Sequence, residues 1–92
     1  MTICLVVYDI SNDRMRMKLA DNLKSLGLAR IQRSAFAGRI NSSKLKDLYR
    51  ICRKYVDDPR NIIHIFTLCG YDWSRRKVFG REMYGEENVV IF

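Results

Sequence analysis

Few residues in this chain are arranged to do chemistry, and Asp9 leads them. It ends an apolar run that begins at Thr2, and it precedes Ser11, Asn12 and Asp13, which read as the start of a helix. A carboxylate delivered to the end of a buried strand in a strongly basic chain suits a divalent cation, and with it phosphodiester chemistry or phosphate binding. The same residue is equally explained as a strand-terminal or capping acid held by backbone donors. Asp13 needs no metal, because a first-turn aspartate is accounted for by the positive end of the helix dipole. His64, the only histidine, sits in an apolar run and reads as a core or interface residue rather than a general base. With no cluster of His or Glu beside it, the chain offers no self-contained acid–base pair. Cys4, Cys52 and Cys69 are odd in number and form no CxxC pair, so they read as reduced core residues, not as a disulfide framework or a zinc site.

Charge narrows the partners. The 92 residues carry a formal net charge of +7, and the simplest functional reading is a polyanion, with nucleic acid first. A solvated Arg-rich surface is the competing explanation, so position has to decide. Arg16, Arg30 and Arg33 adjoin the Asp9 end, where bidentate guanidinium contacts suit phosphate. Arg75, Arg76 and Lys77 form a basic stretch fit to track a nucleic-acid backbone, whereas Lys44, Lys46, Arg50, Arg53 and Lys54 also describe the wet face of a helix. Hydrophobic residues make up 48% of the chain, proline occurs once, and no apolar run approaches ~18 residues, so a folded, cytoplasmic protein without a membrane span is expected. One domain over 1–92 is expected, with its core at about 1–79, small enough that dimerisation would help it bury surface.

The elements that must position these residues follow from periodicity. Residues 2–9 read as a central strand covered on both faces. Met15, Leu19, Leu23 and Leu26 recur at helical spacing, which predicts a helix from Asp13 to about Leu26, capped by Ser11 or Asn12 and ended by Gly27. Leu28 to Ile40 reads as a short strand turning into a longer one, interrupted around Gln32 and Arg33. A second helix runs from Lys44 to about Val56 behind Asn41, Ser42 and Ser43, with Leu45, Leu48, Cys52 and Tyr55 or Val56 as its apolar stripe. Asn61 to Cys69 is a strand ended by a turn at Gly70, Tyr71 and Asp72; Ser74 to Phe79 is a further strand candidate. The order strand, helix, two strands, helix, strand is that of a ferredoxin-like α+β sandwich. The apolar end at about 88–92 reads as one more strand, paired to an edge of its own subunit or of a twin.

With these elements in place the chain resembles the CRISPR-associated protein two family, the small adaptation proteins that accompany the protein-one integrase. The matching residues are the opening strand ending Tyr8, Asp9, Ile10; Arg16; the stretch Gly27 to Gln32; Ser34, Ala35, Phe36, Ala37, Gly38; and the final Val89 to Phe92. Many relatives carry an aromatic where this chain has Arg33 and a valine where it has Ala35; Arg33 adds a candidate phosphate contact. The resemblance implies a homodimer with exchanged C-terminal strands and one Asp9 from each subunit facing across the axis. It thereby implies a shared Mg2+ or Mn2+, since magnesium usually takes one or two carboxylates plus phosphate oxygens. The implied function is CRISPR adaptation (spacer acquisition) with DNA or RNA bound, and endonuclease chemistry in which Asp9 is the catalytic metal ligand. Arg16, Arg30, Arg33, Arg75, Arg76 and Lys77 would bind nucleic acid, and Tyr8, Ser34 and Phe36 would support the site. Tyr8 also reads as a core tyrosine with its hydroxyl at an edge, and Phe36 as a core residue rather than a base-stacking one. A non-catalytic dimeric scaffold that bridges the CRISPR integrase and holds duplex DNA is the main rival. A sheet-face RNA-binding module is a third reading, weakened by the lack of an obvious exposed aromatic pair.

Overall fold

A computed structural model describes residues 2–80. Strand β1 (Thr2–Asp9), helix α1 (Asp13–Ser25), strands β2 (Ala29–Gln32) and β3 (Ala35–Ile40), helix α2 (Ser42–Tyr55), strand β4 (Ile62–Leu68) and the short helix α3 (Gly70–Ser74) follow one another. The strands form one sheet in the order β2-β3-β1-β4, with every neighbouring pair antiparallel. The order of elements is the one read from the sequence, and β1 is central.

Each of the two long helices starts where an asparagine side chain replaces a missing backbone partner. Asn12 Oδ1 accepts from the Met15 amide at 3.0 Å, and Asn41 Oδ1 accepts from the Lys44 amide at 2.8 Å. Since Asn41 is the cap, Ser42 and Ser43 lie inside α2 rather than before it. After α1 the chain reverses through Gly27, whose φ of +90° is the left-handed conformation that glycine adopts without strain. That turn lies close against β3. A Cβ on Gly38 would lie 3.2 Å from Leu28 Cδ2 and 3.3 Å from the Gly27 carbonyl oxygen, which explains the glycine in the Ser34–Gly38 motif. The interruption expected near Gln32 is a register shift: Arg30 pairs with Phe36 and Gln32 with Ala35.

Side-chain alternation divides the sheet into two unlike faces. Cys4, Val6, Tyr8 and Ile10 point to the helices, where they pack with Leu19, Leu23, Phe36, Ile40, Leu48, Cys52 and Tyr55 in one core. On the other face Ile3, Ala29 and Ala37 meet Trp73 of α3, flanked by Leu5, Ile31 and Leu68. This second cover ends partway along the strands, leaving Val7 37%, Phe66 48% and Ile62 52% exposed. The expectation of a β1 covered on both faces is corrected accordingly: it is buried on one face and half covered on the other.

The region after β4 also differs from its expectation. Gly70, Tyr71 and Asp72 do not make a turn into a strand; they begin α3, and Ser74 to Phe79 contains no strand. Cys69 Sγ accepts from the Asp72 amide at 3.4 Å and caps the helix, which lets Trp73 turn inward onto the sheet. Burial of an indole, whose truncation costs ~3–5 kcal/mol, outweighs the extended preference of the residues around it. Cys69 is consequently exposed, unlike the buried Cys4 and Cys52. The expected C-terminal strand at about 88–92 lies outside the described residues.

Candidate phosphodiester site at the end of the first strand

Tyr8 and Asp9 are adjacent in sequence and opposite in space. Tyr8 faces the helices and is 4% exposed, while Asp9 projects from the half-covered face into solvent. Around the Tyr8 hydroxyl the chain gathers several of its candidate arginines. The hydroxyl donates to the Arg33 carbonyl at 3.5 Å, and Arg30 Nη1 donates to that same carbonyl. The Arg30 guanidinium also lies 4.9 Å above the Phe36 ring. Burial raises the Tyr8 pKa, and the nearby Arg30 and Arg16 charges oppose that rise. Ser34 enters through its backbone, its carbonyl accepting from the Tyr8 amide at 3.0 Å. Phe36 is fully buried beneath these groups, so it is a core residue and offers no face to a nucleobase.

Arg16 holds the turn after β1. Its Nη1 donates to the Ile10 carbonyl at 3.2 Å, and its Nη2 pairs with Asp13 one turn away. From across the molecule Asn61 grips the same turn, accepting from the Ser11 amide at 3.1 Å and donating to the Tyr55 carbonyl at 2.8 Å. Asn61 is the buried polar residue that fixes where the chain goes after Asp9. Its sequence position does not reveal this, because an asparagine before a strand looks like ordinary loop chemistry.

The arrangement thus brings Tyr8, Arg16, Arg30, Arg33 and Ser34 to one corner of the helix-covered face and sets Asp9 at the same end of β1 on the other face. Arg75, Arg76 and Lys77 lie elsewhere. Arg75 stands 5.2 Å from the Tyr71 ring centroid; Arg76 covers the Trp73 ring at 4.2 Å and donates to its carbonyl at 3.1 Å. Lys77 lines a cleft of about 340 Å3 beside Leu5, Ile31, Leu68, Trp73 and Phe79. These three residues follow α3 in its C-terminal turn and a segment without regular structure, not in a basic strand.

Asp9 makes no hydrogen bond or ion pair among the described residues, so the reading of a carboxylate held by backbone donors is not realised there. Of the two readings of His64, core or interface, the core one is corrected: it is exposed on β4, with its ring 6.1 Å from that of Phe66 and 18° from parallel. A hard divalent cation fits an exposed, unpaired carboxylate in donor type but not in donor number. No group of three or more His, Cys, Asp or Glu residues able to hold a metal ion occurs among the described residues. The fit is therefore to half of a site, with Asp9 as its oxygen donor.

Comparison with known proteins places this geometry in a family. The family model described as CRISPR associated protein Cas2 matches residues 1–76. A CRISPR-associated endoribonuclease Cas2 of Korarchaeum cryptofilum is 41% identical over 81 residues, covering 88% of this chain and 87% of that protein. A CRISPR-associated endonuclease Cas1/endonuclease Cas2 fusion of Thermoproteus tenax is 52% identical over 64 residues, which cover 70% of this chain and 24% of the fusion. Among solved structures, the hypothetical protein TT1823 from Thermus thermophilus superposes with a TM-score of 0.75 at 33% identity, covering 89% of this chain and 94% of that one. No helix among the described residues is long and apolar enough to cross a membrane. By its sequence and by its fold, this chain belongs to the CRISPR-associated protein Cas2 family.

Proposed function

We propose that this protein is a divalent-cation-dependent endonuclease of CRISPR adaptation, active as a homodimer in which each subunit contributes Asp9. The observation that carries this reading is the Asp9 carboxylate itself, exposed and without a partner among the described residues at the end of the central strand. An acid without a partner among the described residues serves no evident structural purpose there, and it supplies one of the two carboxylates that a magnesium or manganese ion on a phosphate commonly takes. The ion, when bound, would activate a water and offset charge on the phosphoryl oxygens. The chain's own contribution is to orient. Asn61 and Arg16 fix the turn beside Asp9, while the corner holding Arg16, Arg30 and Arg33 lies where a nucleic-acid backbone drawn over the end of β1 would meet positive charge.

The half-covered face supports the dimer. Val7, Ile62 and Phe66 are too exposed for a finished core, and the outer edge of β4 has no strand beside it among the described residues. The apolar segment 89–92 has the composition to serve a twin's edge. Asp9→Asn is expected to abolish Mg2+- or Mn2+-dependent cleavage of RNA and DNA while leaving oligomeric state and thermal unfolding intact. Undiminished cleavage by the purified variant would overturn the catalytic role.

A scaffold without catalysis is the second reading, and the fused relative favours it, since a chain joined to Cas1 is placed to bridge and hold. On that reading the same Asp9 variant supports spacer acquisition normally in cells, whereas charge removal at Arg33 and Lys77 impairs it.

A further inference from the structure

Asp9 has a neighbour that its place in the sequence conceals. β1 and β4 pair antiparallel with Asp9 opposite Ile62 and Val7 opposite His64. Side chains alternate along a strand, so Asp9, Val7, Ile62 and His64 all project from the half-covered face. Asp9 and His64 are diagonal neighbours on it. Such pairs have α-carbons roughly 7–8 Å apart and side chains closer, within reach of an imidazole. Both residues are exposed, and the ring of Phe66 is the contact that His64 makes among the described residues. The remaining neighbours on this part of the face, Val7, Ile62 and Phe66, are apolar and provide neither group with a polar partner.

We propose that His64 is the nitrogen ligand of the Asp9 cation site, so that each chain contributes one carboxylate and one imidazole. The inference rests on the reading of Asp9 as a metal ligand. It accounts for two features together: an imidazole exposed in an otherwise apolar row, and a carboxylate with too few companions among the described residues. Two copies bring four protein donors where Asp9 alone would bring two. It also makes the site selective. Imidazole suits the later first-row divalent ions best, and Mn2+, the weakest of that series, still gains from a nitrogen donor, while Mg2+ keeps to oxygen donors and its own waters, so His64 should strengthen manganese binding and leave magnesium binding nearly untouched.

The test uses the full-length protein with Mn2+ alone and Mg2+ alone, titrated calorimetrically, and pulsed EPR of the Mn2+ form to detect modulation from a coordinated nitrogen. Histidine nitrogen modulation is expected in the wild type and absent in His64→Gln. The same substitution should weaken Mn2+ by about tenfold or more, the loss seen when even an outer-shell partner of a metal ligand is removed. Mg2+ affinity and thermal unfolding should be unchanged, because the side chain is exposed. Asp9→Asn should lose both ions. If Asp9→Asn loses them while His64→Gln keeps its Mn2+ affinity and nitrogen modulation, the role of His64 is overturned and that of Asp9 stands. If Asp9→Asn binds Mn2+ as tightly as the wild type, both fall.

Discussion

The two faces of the sheet are made from the same strands and obey different rules. Toward the helices, Cys4, Val6, Phe36 and Leu48 are completely buried, and the polar atoms at the margin find partners, as the Tyr8 hydroxyl does on Arg33 and the Asn22 amide on Tyr55 at 2.9 Å. On the opposite face Trp73 covers one end, and beyond it lie Val7, Ile62, Phe66, His64 and the unpaired Asp9. One face is finished and holds the fold; the other is open, among the described residues, at the end where Asp9 and His64 stand. The core that holds the fold and the candidate ligand Asp9 are thus separated by the thickness of one sheet, and substitutions can address them separately.

The largest effect should come from the closed face. Phe36→Ala removes a fully buried ring and is expected to cost ~3–5 kcal/mol, read as a lower urea midpoint at unchanged slope. Phe66→Ala, half exposed on the open face, should stay within about 1 kcal/mol of wild type in that measurement under monomeric conditions. Equal losses would erase the distinction between the faces. Asn61→Ala comes next, at ~1–3 kcal/mol, because the Ser11 amide and the Tyr55 carbonyl lose their partner. Both quantities can be read from one set of denaturation curves.

Smaller effects sharpen the comparison by charge. Arg33→Ala and Lys77→Ala should each reduce the slope of log affinity against log salt by up to about 0.9 for each phosphate no longer neutralised, with stability unchanged. Arg16→Ala and Arg30→Ala should lower stability as well, since both side chains hold backbone carbonyls at the closed corner. An Arg16 variant with altered salt slope and unaltered stability would show that its bonds to Ile10 and Asp13 contribute nothing to the fold. A separate effect concerns pH and stands outside that ranking. Burial pushes the Cys4 and Cys52 thiols up to about 11, so the folded state holds these protons more tightly than the unfolded chain. Stability should be flat up to the ordinary thiol range near pH 8.5 and fall as pH rises toward 11. A Cys4→Ala, Cys52→Ala double variant should flatten that decline, and alkylation of the native protein should modify the exposed Cys69 and spare the buried Cys4 and Cys52.

Much of this molecule was legible from local pattern. The apolar stripes of Leu19 and Leu23 and of Leu48, Cys52 and Tyr55 mark helices because a period of 3.6 residues is written into the chain itself. Asn12 and Asn41 act within three residues, as do the glycine turn at Gly27 and the Arg30–Gln32 shift. Asp9 could be singled out for the same reason: an acid closing an apolar run is visible without any partner. The region from Gly70 to Phe79 misled because locally it reads as a turn followed by an extended stretch, and its fate depends on a distant surface. Trp73 finds Ile3, Ala29 and Ala37, which lie far off in sequence and share one face once the strands pair.

Sequence by itself determined the elements through β4, the basic charge, the resemblance that names the family and the identity of the exposed acid. Tertiary structure alone decided that Tyr8 and Asp9 serve opposite faces, that Arg16 and Asn61 clamp one turn, and that His64 stands diagonal to Asp9. The reason is register. Periodicity is a property of neighbours along the chain, whereas the pairing of β1 with β4 joins residues from opposite ends of the described chain, and a slip of one residue would have turned His64 to the other face.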